Sequence, residues 1–458
     1  MKRIWLLVLL MAGSLVALNA PVFADENSTD SMEDVNAALG SLSNRVNNLE
    51  KKGPSVEVHG FAELDYIFDD TLMGLGTETI GDNAQIPHGG GVTQNNGQAQ
   101  FSPRNSRFDL LSQATVDGWA TKGYIEGDFL GVANTAENKE YTQPTFRLRH
   151  AYLDAQNDGW DIMAGQYWTL FGWNMDNVLA TLDVSPIMGT LYERTPRLGV
   201  MKTFGDDAQL QIALDAERPI QSLSSVPNFN GGIRLKLNGM KAQFAYATGD
   251  SKLVPLSVGI SGTLRYYAYL PAATDLNFVD IKGDGVAIDV QIPVLTTTEA
   301  TKKDDPTVIV TGEWMAGKGV ADALNAWNGG GETVPANFGT AALAGEPIDG
   351  GFVGTTTAKF GGVNELIDDS SWNLQMQIHL PQSIGTYMTV GYGETYSDNA
   401  DTMVGSTYND VNGMFVNLVQ DFTANVRAGV EYSRFQDNYL AGFNGVDHRL
   451  QLSTWYRF

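Results

Sequence analysis

The chain has 458 residues, 29 Lys and Arg against 53 Asp and Glu, a formal charge of −24, 50 glycines and no cysteine. The absence of cysteine excludes a disulfide framework, thiolate-ligated zinc or iron–sulfur centres and a thiol nucleophile. His59, His88, His150, His379 and His448 form no HExxH and no compact ligand set, so neither metal nor cofactor is expected. The acidic balance, with no basic run, argues against nucleic acid as a partner.

Residues 1–24 read as a signal peptide. Lys2 and Arg3 precede an apolar run from Ile4 to Leu18, and Val22-Phe23-Ala24 places small residues where a signal peptidase cuts. Cleavage after Ala24 removes two basic residues and no acidic ones, which leaves 27 against 53, a net −26. After that point no stretch reaches the roughly 20 apolar residues of a bilayer-crossing helix. An exported soluble protein and a transmembrane barrel both remain.

Residues 25–53 carry apolar residues Met32, Val35, Leu39, Leu42, Val46 and Leu49, at steps of three and four. That is a heptad seam, ended by Gly53-Pro54. About three heptads are marginal alone, so a coiled coil here needs its copies held together by the downstream part of the chain. The alternative is an amphipathic helix packed on its own domain.

From Val56 the period changes to two. Over 371–380, Trp372, Leu374, Met376, Ile378 and Leu380 share one parity, and Asn373, Gln375, Gln377 and His379 share the other. Strands are predicted at 56–66, 104–114, 121–130, 145–155, 159–169, 197–204, 207–216, 230–237, 240–248, 283–293, 306–317, 371–380, 384–394, 411–421, 424–436 and 446–458. The connections after odd-numbered strands are mostly long, including 67–103, 170–196, 249–282 and 318–370. Those after even-numbered strands are short, such as Asn238-Gly239 and Phe422-Thr423. Alternation alone fits a soluble sandwich, but long loops at one end and tight turns at the other mark an outer-membrane barrel. The fold class is therefore all-β: an antiparallel transmembrane β-barrel of about sixteen strands over 55–458. Fourteen or eighteen strands also fit, because 256–270 and 350–361 alternate too. Tyr66, Trp119, Tyr124, Phe129, Trp160, Trp168, Trp314, Trp372, Tyr432, Trp455 and Tyr456 lie mostly near strand ends, where interfacial girdles sit.

The chain ends in an alternating strand closing on Phe458 and resembles the terminal strand of Gram-negative outer-membrane proteins, which the barrel-assembly machinery recognises. The segments RNSR (104–107), YIEGDF (124–129), RLRHAY (147–152) and GQYW (165–168), lying after an N-terminal heptad helix, resemble the DcaP-like porins over about residues 30–200. The resemblance implies a homotrimeric sixteen-stranded channel with a periplasmic coiled coil, in contact with outer-membrane lipid and lipopolysaccharide, for dicarboxylates and other small anions.

Parity selects the residues facing the lumen. Arg107, Arg147, Arg149, Arg234, Lys236, Arg427 and Arg449 point inward, with Glu126 and Asp128 among the inward acids. Arg147 and Arg149 oppose Phe146, Leu148 and Tyr152. Strand direction puts Arg107, Arg147, Arg149 and Arg449 in the outer half, with Glu126 and Asp128 at the same depth. Arg107, Arg147 and Arg149 form with the two acids either a mutually neutralised lattice or an anion site with spare donors. The third loop, 170–196, carries Asp176, Asp183, Glu193 and Arg194, with Arg197 just beyond. In porins, which the chain resembles, such a loop enters the barrel, which would place Asp183 and Glu193 across the constriction from the arginines; the alternatives are a loop lying over the mouth, with these residues on the surface, and a pore narrowed by the loop 318–370. No catalytic motif is present: GxSxG, a phosphate loop and a dinucleotide fingerprint are all absent. The expected function is passive diffusion of small hydrophilic solutes, organic anions preferred. The competing readings are a general, sugar or cation porin and an occluded structural barrel.

Overall fold

The computed structural model describes residues 54–72, 86–87, 95–131, 145–173, 181–182, 185–218, 224–269, 279–327, 354–355, 364–402 and 408–458. The predicted signal peptide and coiled-coil segment lie outside the described residues.

Sixteen antiparallel strands close into a barrel. They are β1 (Ser55–Asp69), β2 in two pieces, β2a (Gln98–Ser102) and β2b (Arg107–Val116), β3 (Trp119–Gly131), β4 (Thr145–Asn157), β5 (Trp160–Trp168), β6 (Arg194–Phe204), β7 (Ala208–Glu217) and β8 (Asn228–Phe244). Next in the chain are β9 (Lys252–Tyr269), β10 (Val279–Leu295), β11 (Thr307–Lys318), β12 (Asp368–His379), β13 (Thr386–Ser397), β14 (Tyr408–Asp421), β15 (Val426–Tyr439) and β16 (Asn444–Arg457). Each strand pairs with its sequence neighbours, and β16 returns to β1 from Phe61–Arg457 to Asp69–Arg449. Phe458 and Gly60 then exchange backbone hydrogen bonds of 2.9 and 3.0 Å, so no edge is left at the seam.

The polarity of the two faces separates the barrel from a soluble sandwich. On β12, Trp372 and Leu374 are 42% and 54% exposed on the outside, whereas Asn373, Gln375 and Gln377 are buried inside. A water-soluble sheet would reverse these faces. Trp160, Trp314, Trp372, Tyr432 and Tyr456 lie on this outer surface as girdle residues should. Trp455, expected among them, is buried on the inner face with Phe61 and Val419.

The turns obey local chemistry. Asp117-Gly118 and Asp158-Gly159 both have positive φ, the two-residue hairpin geometry that matches strand twist. The RNSR segment interrupts β2 at Pro103, where no backbone donor exists, and its side chains bridge the gap. Asn105 Nδ2 donates to Asp65 Oδ2 at 3.0 Å, Arg104 reaches the Phe129 and Gly131 carbonyls at 3.3 Å, and the Glu63 amide donates to Ser106 Oγ at 2.9 Å.

The strand number agrees with the sequence expectation, but the ninth strand lies elsewhere. Asn238-Gly239, read as a hairpin turn, is a bulge within β8, where pairing steps from Leu237–Leu256 to Lys241–Pro255. β7 stops opposite Leu237, so the far half of β8 pairs only with β9. The true turn is 245–251, and β9 occupies most of the segment expected to be the loop 249–282. The parity of the barrel survives because one misplaced strand replaces another.

A charge on the lipid face tests the assignment of faces. Leu374→Arg, near the middle of β12, is expected to cost about 2–4 kcal/mol in unfolding from lipid vesicles, as for a cation at the bilayer midplane.

Candidate functional site: an arginine wall facing an inward loop

The loop between β5 and β6 folds into the barrel, and its described residues lie on the wall formed by β9 to β15. Its base is closed by the Thr169 amide on the Glu193 carbonyl at 3.1 Å. From there its backbone amides are taken up one by one by the wall. Gly172 N donates to Ser261 Oγ at 2.9 Å, Trp173 N to Asp289 Oδ2 at 3.2 Å, Leu182 N to Glu431 Oε2 at 2.9 Å and Leu191 N to Glu313 Oε1 at 2.6 Å. Asn373 Nδ2 binds the Gly189 carbonyl at 3.2 Å. A Cβ on Gly393 would stand 1.9 Å from the Met188 carbonyl oxygen, so only glycine admits the loop there. Phe171, Ile187, Met188 and Leu191 pack with Val320, Leu324 and Trp327 of the connection after β11 into an apolar cluster inside the barrel.

This loop leaves the lumen lopsided. The inward residues of β10 to β16, among them Asp289, Glu313, Gln375, Glu431 and Gln451, are buried. On β2 to β6 the inward residues Arg107, Lys122, Tyr152, Tyr167, Arg194 and Arg197 keep part of their surface. Free space therefore runs along the β2–β6 wall.

The arginine cluster stands on that wall, toward the end of the barrel that carries the long loops. Arg147 forks onto Asp128, Nε to Oδ1 at 3.0 Å and Nη2 to Oδ2 at 2.8 Å. Arg149 donates to Glu126 Oε1 at 2.6 Å and to Asp128 Oδ2 at 3.0 Å, and Arg107 Nη1 stands 3.7 Å from Glu126 Oε1. Arg194, at the foot of the inward loop, lies over the Trp168 and Tyr192 rings at 5.0 and 5.9 Å. Its Nη1 is buried without a hydrogen-bond partner among the described residues. Four guanidinium groups thus gather around Glu126 and Asp128, with Glu63 and Asp109 also beside Arg107. Tyr192, on the loop, feels three of them. Burial raises its phenol, but Arg149, Arg194 and Arg107 outweigh burial and hold it below the usual tyrosine value.

A β-bulge explains why the RLRHAY segment departs from simple alternation. Pairing passes from Asp128–Arg147 and Gly127–Leu148 to Glu126–His150, leaving Arg149 as the extra residue. Arg147 and Arg149 face inward as expected, but beyond the bulge Tyr152 does too, contrary to its expected place on the lipid side. Gly165 of GQYW has φ +134°, and a Cβ there would stand 2.2 Å from the Ala151 carbonyl oxygen.

On the turn side of the arginines lies a cavity of about 230 Å³ lined by Lys122, Tyr152, Tyr167, Trp168, Arg197 and Arg234 together with Asp154 and Asp161. Two of its cations are paired with acids, Arg197 Nη1 with Asp215 at 2.6 Å and Lys122 with Asp154 at 3.4 Å, while Arg234 donates to the neutral Gln211 Oε1 at 2.9 Å and lies over the Trp173 ring.

Neither a protein-family model nor a curated protein sequence matches the chain. Among solved structures, the outer-membrane channel DcaP of Acinetobacter baumannii is 20% identical, with 89% of this chain and 98% of that one covered at a TM-score of 0.58. The chain is built on the same fold as the DcaP channel. An anion-selective porin from Comamonas acidovorans also aligns, at 8% identity over 88% of this chain and all of that one, with a TM-score of 0.50.

Within this DcaP-like barrel the other sequence-selected residues fall in three groups. Arg107, Arg147, Arg149, Arg194, Glu126 and Asp128 come together in one cluster. Arg449 is buried and forks onto Asp69 of β1 at 2.7 and 3.1 Å, across the seam from β2. Arg427 is buried at the turn end on Asp421, and Lys236 lies on β8 beside Ser257 of β9. Of the loop acids, Asp176 and Asp183 lie outside the described residues. Glu193 meets Arg265 of β9 at 2.9 Å instead of the arginine wall, and Arg265 also binds Asp322. Burial and Asp322 push the Glu193 carboxyl up to about 7 against the pull of Arg265. Sequence reasoning missed Arg265 because its strand was taken as loop, although the alternation of 256–270 contains it.

The cluster has a structural and an accessible half. Arg149 is 4% exposed at its side chain and serves both carboxylates, so Arg149→Ala is expected to cost about 3–5 kcal/mol by stranding buried charge. Arg147, 31% exposed, is expected to cost about 1 kcal/mol or less. Denaturant titration in lipid vesicles separates the two.

Proposed function

We propose that this protein is a porin of the Gram-negative outer membrane, through which small hydrophilic solutes diffuse passively, organic anions such as dicarboxylates being preferred. The carrying observation is the arginine cluster. It gathers four guanidinium groups on the wall that the described residues of the inward loop leave uncovered, and Nη1 of Arg194 has no hydrogen-bond partner among the described residues. An anion leaving water needs donors that replace its hydration while binding loosely enough to let go. A fork already held by a carboxylate, as in Arg147, offers a second set of N–H groups without the cost of an isolated cation. The preference named for the Comamonas porin points the same way.

In this reading the tight turns and both ends of the barrel chain face the periplasm, and the export signal and heptad helix serve secretion and trimer assembly. Lipid and lipopolysaccharide surround the outer apolar band. The strand that ends on Phe458 is what the assembly machinery engages. A general porin without anion preference is the second reading, favoured by the pairing of Arg197 and Lys122 with acids in the inner cavity.

Reconstitution in a planar bilayer under a salt gradient tests the proposal. An anion-leaning reversal potential and block by succinate are expected. The double variant Arg147→Gln, Arg194→Gln leaves Arg149 in its structural place and is expected to move the reversal potential toward cations. An unchanged potential in that variant removes these residues from the filter, and wild-type protein that does not conduct removes the porin reading itself.

A further inference from the structure

The connection between β8 and β9, residues 245–251, does not lie at the rim as the neighbouring turns do. The hairpin continues past Ala208, the first residue of β7, and turns inward. Ala242, Phe244, Ala245 and Ala247 are all buried. Ala242 and Phe244 pack on Ile309 of β11, and the Gln243 amide donates to Thr307 Oγ1 at 3.2 Å.

The segment is then passed from strand to strand across the mouth. Gln377 of β12 brackets Ala245, accepting from its amide and donating to its carbonyl, both at 2.9 Å. Tyr387 of β13 donates to the Tyr246 carbonyl at 3.0 Å. Arg427 of β15 gives Nη1 to three carbonyls of the turn, Tyr246 at 2.9 Å, Ala247 at 2.7 Å and Gly249 at 2.7 Å. Its Nε and Nη2 grip Asp421 of β14 at 2.7 and 2.9 Å. Arg457 of β16 closes the series on Asp250 at 2.8 Å. Ala245 and Ala247 rest in one apolar cluster with Phe61, Val419, Trp455 and Leu182 of the inward loop. A turn that starts on β8 and β9 and is held by β12 through β16 spans much of a sixteen-strand ring.

We propose that the β8–β9 turn is a second, size-limiting constriction at the turn end of the channel, held across the opening by Arg427 as its positioning residue. This rests on the porin reading and extends it: charge is selected at the arginine wall and size at the turn, in series along the path. Two resistances in series add, so opening one raises the current while the selectivity set at the other is kept.

The variants that test this are a shortened protein in which 245–251 is replaced by Asn-Gly, and Arg427→Gln with Arg427→Lys beside it. Unit conductance and the largest neutral polyethylene glycol that enters the pore are measured for each, after heat-shift electrophoresis confirms a folded barrel. The shortened protein is expected to have roughly doubled conductance and a larger polymer cut-off at an unchanged reversal potential. Arg427→Gln should move in the same direction, and Arg427→Lys should recover part of the difference. Unaltered conductance and cut-off in the folded, shortened protein overturn the proposal, whatever Arg427→Gln does. Should wild-type protein be silent, currents in the shortened protein sustain the plug and refute only the open-porin reading. Silence in both refutes the plug.

Discussion

Sixteen strands enclose more space than their own side chains can fill. The wall is fixed in width by hydrogen bonding to closure, so the bore is set by whatever chain returns inside it. Segments that return bring backbone polar groups into a space from which they displace water, and each needs a partner there. That requirement explains the acids and amides on the inner faces of β10 to β16. Asp289, Glu313 and Glu431 accept amides of the inward loop, Asn373 donates to one of its carbonyls, and Gln377 does both for the β8–β9 turn. On this half of the barrel the polar lining is structural.

The other half keeps part of its inner surface open, and its electrostatics differ in kind. Asp128 and Glu126 hold Arg147 and Arg149 at fixed angles, which orders long side chains that would otherwise sweep the bore. Glu126 and Asp128 pair with Arg107, Arg147 and Arg149, and Arg194 adds a guanidinium group with no carboxylate partner among the described residues. The overall acidity of the chain, at −24, thus says little about the charge inside the barrel, which is decided by which acids are covered by loop and which arginines are left open.

Much of the barrel was legible from alternation alone. Trp372 to His379 read correctly on both faces, because a one-residue slip would have put every polar group into lipid. The ninth strand was not legible, since Asn238-Gly239 carries the strongest short hairpin signal, yet here neither residue takes a positive φ and the pair lies in a bulge. At the site, parity found Arg147 and Arg149 but misplaced Tyr152, because a bulge at Arg149 adds one residue that no periodicity announces. Parity also cannot say whether an inward charge is covered. Arg427 and Arg147 look alike in sequence, yet one is buried on carbonyls of a turn about 180 residues away in the chain and the other borders the bore.

The way the inward loop is fastened bears on how such a channel changes over generations. The wall carboxylates grip main-chain amides at Trp173, Leu182 and Leu191. Every residue type except proline carries that amide, so exchanging one side chain for another at these positions does not remove the grip. The clamp and the chemistry presented to the solute are therefore inherited separately: substitutions along the loop can retune what passes while the loop stays in its place.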